Sequence, residues 1–302
     1  MDSVLECLPR GSRVAILRLR SLGDCVLTTP ALDILKRFRG DLRLAVFVEN
    51  RFREIFEGNP DLTEIHPPEL AALRRFRPQL CLNFHGGTRS AWMTELSGAR
   101  YRAGFGHYRQ QFVYNVHIPR AQEILHVDRK VHTAEHLASA VFFLGAPLGE
   151  IPRAKLFPGA PGPPEPAYAV IHAVAATPEK TWASAHFLAV AAYLAQSGLS
   201  PVFIGAADDD LAPFRQYRTL QSSLSEIKRL LASAALFVGN DSGPAHMAAA
   251  FGVPSVVIFG PSDPAIWGPW RTTGEVVAAP GGMADVSLAQ VLGALQRLRV
   301  PA

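Results

Sequence analysis

Asp24 lies in Leu19-Arg-Ser-Leu-Gly-Asp-Cys-Val-Leu-Thr-Thr-Pro-Ala-Leu32, between an apolar run that reads as a strand and a helical stretch from about Val26 to Phe38. A carboxylate in the loop at a strand's carboxyl end is placed to take a proton from a substrate hydroxyl. The same residue could serve only as a cap or first-turn acid meeting the helix dipole. Gly23 stands alone in this loop, so the G-x-G-x-x-G pattern of dinucleotide binding is absent.

A second segment, Val238-Gly-Asn-Asp-Ser-Gly-Pro-Ala-His-Met-Ala-Ala-Ala-Phe-Gly252, runs from a strand through a polar turn into a small-residue helix. Pro244 suits the first helical position. The amides of Ser242, Gly243 and Ala245 would then project from a positive helix end, which suits a phosphate. Asp241 and His246 flank that position, although Asp241 could only cap the helix and His246 could only pack.

Thr177-Pro-Glu-Lys-Thr-Trp182 follows the strand Tyr168 to Val174. Its Lys180 is one of only two lysines after residue 157, the other being Lys228. A lysine in a loop at a strand's carboxyl end can pair with a diphosphate, and it can equally be a solvated surface charge. Phe259-Gly-Pro-Ser-Asp-Pro-Ala-Ile-Trp-Gly-Pro-Trp270 is a stiff aromatic loop that could wall a sugar or base pocket or pack between domains.

Other chemistries find little support. Of ten histidines, only His132 and His136 form an H-x-x-x-H pair, with no cysteine partner and no obvious acid in the same loop to complete a metal site. No G-x-S-x-G elbow and no Walker A sequence occurs. Nucleic-acid binding would need denser basic and aromatic clustering.

The elements around these segments alternate in type. Strands are expected at Arg13–Leu19, Leu42–Val48, Gln79–Phe84, Tyr168–Val174, Pro201–Gly205, Leu236–Gly239 and Ser255–Phe259. Helices are expected from about Arg89, and at Lys130–Leu144, Ala185–Gln196, Leu224–Ala234, Pro244–Phe251 and Ser287–Arg299. Alternation of this kind predicts an α/β protein with two doubly wound domains, each built on a parallel sheet. Ligands in such folds sit beyond the carboxyl ends of the strands, and the cleft between two such domains is the expected site.

The boundary between the domains is also legible. Residues 158–166 hold five prolines in nine positions, which neither a helix nor a central strand tolerates. The expected organisation is therefore 1–157, a linker 158–166, and 167–302. Charge changes at the same place: of the net +4, the first part carries +6 and the remainder −2. A basic first domain suits an anionic partner, such as a phosphorylated substrate or a membrane surface, or is simply a solvated face.

Composition closes off several classes. At 302 residues and 48% hydrophobic the chain is neither disordered nor a small disulfide scaffold, and its three cysteines suit free thiols in a reducing compartment. No apolar run approaches the ~20 residues of a membrane span. The first ten residues lack an apolar export signal, so a soluble cytoplasmic protein is expected.

Taken together, Ser21-Leu-Gly-Asp24 with Thr29-Pro-Ala-Leu32, Glu57-Gly-Asn-Pro-Asp61, Lys180-x-Trp182, Asp241-Ser-Gly-Pro-Ala-His246, Phe259-Gly-Pro-Ser-Asp-Pro264 and Trp267-Gly-Pro269 resemble glycosyltransferase family 9, the heptosyltransferases of lipopolysaccharide core synthesis. The resemblance implies a GT-B fold, with acceptor bound by the first Rossmann-like domain and nucleotide-sugar donor by the second. It implies ADP-L-glycero-β-D-manno-heptose as donor and an inner-core Kdo or heptose as acceptor. It further implies an inverting transfer with no catalytic metal and no cofactor.

On this resemblance Asp24 is the general base and Lys180 neutralises charge on the leaving diphosphate. Thr177, Asp241, Ser242, Gly243, His246 and Glu226 bind the donor, Glu226 through the ribose. Ser21, Gly23 and His85 stand on the acceptor side. The acceptor would be a lipid-linked anionic saccharide, with peripheral contact at the inner leaflet of the inner membrane. Two departures stand out: the acid common after the fourth strand is replaced around Asn83-Phe-His-Gly86, and Glu226 is offset by one position. The competing readings are a GT-B transferase or epimerase for another nucleotide sugar, and a noncatalytic nucleotide-sugar-binding protein.

Overall fold

The computed structural model describes residues 3–159, 166–175 and 177–298. Contacts divide the chain into two compact units, Met1–Lys155 and Leu156–Ala302. Most of the expected proline-rich linker, residues 160–165, lies outside the described residues.

The first unit runs α1 (Val4–Cys7), β1 (Arg13–Leu17), α2 (Leu22–Phe38), β2 (Arg43–Phe47), α3 (Arg53–Phe56), β3 (Glu64–His66), α4 (Leu70–Phe76), β4 (Leu80–Asn83), α5 (Thr88–Glu95), β5 (Tyr101–Phe105), β6 (Val116–Ile118), α6 (Ala121–Leu125) and α7 (Thr133–Phe143). Its sheet has the order β3-β2-β1-β4-β5-β6 and is parallel throughout. β1 is central, with Leu17 registered against Phe47 on one side and Asn83 on the other. Covered on both faces, it is buried and apolar from Val14 to Leu17, as central parallel strands usually are.

The second unit continues with β7 (Tyr168–His172), α8 (Ser184–Gln196), β8 (Ser200–Gly205), β9 (Arg218–Gln221), α9 (Leu224–Ala232), β10 (Leu236–Asn240), α10 (Gly243–Phe251), β11 (Ser255–Phe259), α11 (Pro264–Trp267), β12 (Gly274–Ala278) and α12 (Leu288–Arg297). The sheet order β12-β11-β10-β7-β8-β9 is, counted from β7, the same 3-2-1-4-5-6 winding as the first. Each sheet therefore has one switch point, between β1 and β4 and between β7 and β10, where the winding reverses and ligands bind in such folds. A core of Phe187, Val190, Leu194, Phe203 and Trp182 packs this sheet against its helices.

Several expectations need correction. α2 begins at Leu22, not Val26, so Asp24 is the third helical residue and not a loop residue. Ser21 adopts the extended N-cap conformation and turns the chain into the helix that early. The helix expected at Lys130–Leu144 is shorter, because His132 is its N-cap: its ring accepts from the Ala134 amide and Glu135 reaches back to the His132 amide. His132 is thereby committed to the helix end, while His136 stacks on Phe105 with centroids 3.9 Å apart. Among the described residues no group of three or more His, Cys, Asp or Glu is arranged to hold a metal.

α10 starts at Gly243, which moves Pro244 to the second position, and α9 stops at Ala232 with Ser223 as its cap. Five strands escape a pattern reading: β3, β5, β6, β9 and β12. Four of them, all but β5, are edge strands of three to five residues, and β9 and β12 expose most of their residues, so no long apolar run marks them. No helix of the described residues is long and apolar enough to cross a membrane.

Candidate functional site

Both groups of polar side chains singled out above stand at switch points. In the first unit, Asp24 occupies the first turn of the helix that follows β1, where the helix dipole favours a carboxylate. The Ser21 hydroxyl donates to Asp24 Oδ2 at 2.9 Å, and Arg18 Nη1 lies 3.3 Å from Oδ1. Arg18 is itself buried, and its Nε is a buried donor with no hydrogen-bond partner. A buried guanidinium with a spare donor beside a carboxylate is an arrangement completed by an anion or water. Gly23 sits between Ser21 and Asp24 in this turn.

Three aromatic groups, His85, Tyr108 and His136, lie within electrostatic reach of this pair. His85 follows β4, its loop folded by Asn83, whose buried Oδ1 accepts from the His85 and Gly86 amides at 2.9 and 3.0 Å while Nδ2 donates to the Tyr114 hydroxyl. Burial and the nearby Arg18 and Arg20 charges hold the His85 imidazole below its usual range. Burial pushes Tyr108 up to about 12 and His136 down to about 4, and both feel the charges of Arg18 and Asp24. Gly86, with φ +72°, lets the Tyr108 ring close over this loop: a Cβ there would stand 2.6 Å from it. Arg18 and Tyr108 were not singled out from the sequence, and His136 was read only as half of an H-x-x-x-H pair. The available signal was Arg18, a charge one residue beyond an apolar strand.

In the second unit the segments after β7 and β10 meet. Lys180 Nζ donates to Asp241 Oδ2 at 3.0 Å, the acid's side chain being 8% exposed and the lysine's 35%. Asn240, fully buried, fixes the approach: its Oδ1 accepts from the Trp182 amide and its Nδ2 donates to the Ala173 carbonyl. Trp182 is locked further by its indole N–H on the Val286 carbonyl, 2.8 Å away. Gly260, after β11, allows the Pro178–Lys180 turn to lie close, because a Cβ there would come within 2.6 Å of the Glu179 carbonyl.

Ser242 is the N-cap of α10 but spends its hydroxyl on the buried His172, with Oγ and Nδ1 3.0 Å apart, and makes no side-chain cap. Burial pushes His172 down to about 4, so its ring is neutral near pH 7. The Ala245 amide is taken by the Ser242 carbonyl at 3.2 Å and Pro244 has none, so of the three expected amides it is Ser242 and Gly243 that remain for an anion. His246 is buried one turn into the helix, its ring 6.4 Å from that of Trp267.

Two donor candidates stand apart from this group. Thr177 opens the Pro178–Lys180 turn and is exposed, its carbonyl accepting from Lys180 N and Thr181 Oγ1. Glu226 is an exposed residue of the first turn of α9, 3.7 Å from Arg229, on a helix that packs against α10. A cavity of about 470 Å³ opens beside Pro178, Trp182, His186, Pro261 and Met283, next to the Lys180 turn and not at the start of α10.

Two parallel sheets of the same winding, each with polar side chains at its switch point, are the architecture of the GT-B fold. Residues 71–287, well over half the chain, match glycosyltransferase family 9 (heptosyltransferase), and the chain belongs to that family. Asp24 lies upstream of the matched span. The sequence is 25% identical over 288 residues to lipopolysaccharide heptosyltransferase 3 of Escherichia coli, covering 83% of this chain and 84% of the relative. The glycosyl transferase family 9 structure from Veillonella parvula DSM 2008 superposes with TM-score 0.81 at 21% identity, covering 95% of this chain and 97% of that one. E. coli heptosyltransferase WaaC with ADP-2-deoxy-2-fluoro heptose gives 0.77 at 21% identity, covering 94% and 99%.

Proposed function

We propose that this glycosyltransferase moves a heptose from ADP-L-glycero-D-manno-heptose to a Kdo or heptose of the lipopolysaccharide inner core, with inversion and without a metal or cofactor. The observation that carries the reading is the Lys180–Asp241 pair beside the start of α10, a cation and backbone amides gathered at one switch point. Membership of family 9 and the ADP-heptose analogue held by WaaC support the choice of donor.

In this mechanism the acceptor hydroxyl loses its proton to Asp24 and its oxygen attacks the anomeric carbon. The bond from that carbon to the diphosphate oxygen breaks on the opposite face, and ADP leaves. Asp24 has lone pairs to spare for this, since each oxygen takes a single contact from Ser21 or Arg18. Charge growing on the leaving oxygen is met by Lys180 and by the Ser242 and Gly243 amides, where fixed donors favour the transition state over the bound sugar nucleotide. His246 and Asp241 hold the donor, Thr177 reaches a phosphate and Glu226 the ribose. Ser21, Gly23 and His85 shape the acceptor side, and the lipid-linked acceptor brings the protein to the inner leaflet of the inner membrane as a peripheral partner.

Calorimetric titration with ADP, UDP, GDP and CDP in EDTA, repeated with Mg²⁺, tests the donor assignment. The reading expects ADP to bind tightest and Mg²⁺ to change its affinity little. Preference for UDP or GDP would retain the fold and discard the donor, and a strict need for Mg²⁺ would discard the metal-free mechanism.

A further inference from the structure

The first unit carries an apolar surface that neither its core nor its candidate site explains. Trp92 on α5, Leu96 one turn further on and Phe112 in the Gln111–Val113 turn are 48%, 42% and 69% exposed. The rings of Trp92 and Phe112 meet edge to face with centroids 6.2 Å apart. Two large aromatic side chains touching each other and left uncovered form a patch of the kind that marks an interaction surface.

Its border is basic. Arg89 precedes Trp92 by three residues on the same helix and so shares its face. Arg109 precedes Phe112 by three, and the Gln110 side chain, donating to Thr88 Oγ1 at 3.0 Å, ties that loop to the start of α5. Arg74 donates to the Leu96 carbonyl at 2.8 Å and Arg89 to the Pro68 carbonyl, so each is held by a neutral oxygen and keeps its charge. Among the described residues the acid on this helix, Glu95, is paired with Arg102 at 3.2 Å.

The patch also adjoins the candidate site. The loop that turns Phe112 outward turns Tyr108 inward, over Gly86 and within electrostatic reach of Asp24.

We infer that Trp92, Leu96 and Phe112, bordered by Arg74, Arg89 and Arg109, dock the protein on an anionic lipid surface. Aromatic rings settle at the headgroup level of a bilayer, and arginines beside them pair with lipid phosphates. The inference rests on the lipid-linked acceptor proposed above and names the surface that meets the lipid.

Co-sedimentation with vesicles of phosphatidylcholine alone, or of equimolar phosphatidylcholine and phosphatidylglycerol, tests it. This needs neither donor nor acceptor, so it reads independently of whether heptose is the sugar transferred. The wild-type protein should bind the anionic vesicles roughly ten-fold or more tightly than the neutral ones, and less so in high salt. The double variant Trp92→Ser/Phe112→Ser and the charge variant Arg89→Gln/Arg109→Gln, both confined to exposed side chains, should each lose that binding. Both should keep wild-type turnover on a water-soluble, delipidated acceptor. Wild-type protein that stays in the supernatant, or variants that sediment like wild type, would overturn the proposal. So would a Trp92→Ser/Phe112→Ser variant that turns a dimer into a monomer with no change in vesicle binding, since a second copy of the chain would then cover the patch.

Discussion

Lys180 Nζ stands 3.0 Å from Asp241 Oδ2, joining the turn after β7 to the turn after β10 across the switch point of the second sheet. The acid is the more buried partner, so it holds the lysine in place while the ammonium keeps an exposed side. In the proposed mechanism the two residues divide the work: Lys180 carries the charge that a leaving diphosphate needs, and Asp241 aims it.

That division predicts different kinetic signatures. Lys180→Met should lower kcat about 100-fold or more, near 3 kcal/mol of transition-state stabilisation, as removal of a preorganised charge does elsewhere. Asp241→Asn, which keeps the acceptor oxygen but loosens the lysine, should raise the donor KM as well and lower kcat about ten-fold. Steady-state kinetics with thermal melts separate these from misfolding. Equal effects of the two variants on kcat with no change in KM would contradict the assignment.

Gly260 should be intolerant of a single methyl group. Its Cβ would lie 2.6 Å from the Glu179 carbonyl, in the turn that carries Lys180. Overpacking of this kind costs about 1–3 kcal/mol. Gly260→Ala should therefore lower the melting temperature modestly and reduce kcat/KM for the donor about ten-fold, because the displaced turn takes Lys180 with it. A variant with lowered stability and unchanged kinetics would show that the turn does not position the lysine.

His172 makes the second unit acid-sensitive. The folded ring protonates only near pH 4, whereas an unfolded chain takes up the proton near the ordinary value of about 6.5. Between those values the unfolded state binds more protons, so stability is fully present above about 6.5 and falls as pH drops toward 4. The loss at pH 5 is about 2 kcal/mol for this one group. Urea unfolding of wild type and His172→Gln at pH 7 and pH 5 measures it. The variant should be less stable at pH 7 yet lose about 2 kcal/mol less on acidification. An identical loss in both proteins would mean that His172 is not the titrating group.

The candidate site residues are easier to read from the sequence than the framework that fixes them. Asp24, Lys180, Asp241 and Ser242 could be found because polar residues interrupt apolar strands just where strands give way to helices. Arg18, Asn83, His172 and Asn240 could not, because each looks like an isolated polar residue at the end of an apolar run. Three of them have partners distant in sequence: Asn240 holds Trp182 58 residues away, His172 meets Ser242 70 residues away, and Asn83 holds Tyr114, 31 residues on in the loop before β6. The central strands were legible from continuous apolar runs, whereas β9 and β12 owe their conformation to the neighbour they pair with and not to their own composition. Helix starts shifted where a cap was unconventional: an imidazole at His132, and at Ser21 a hydroxyl that serves Asp24 instead of the helix amides.

The central claim is that Asp24 removes the acceptor proton while the donor is held by groups of the second unit. Turnover of ADP-heptose by Asp24→Asn, with ADP affinity measured on the same preparation, tests it most directly. General-base assistance is worth 10²–10⁴-fold, so kcat should fall by about 10³ while ADP affinity stays within about two-fold of wild type. Turnover within ten-fold of wild type, with ADP bound normally, would contradict the account.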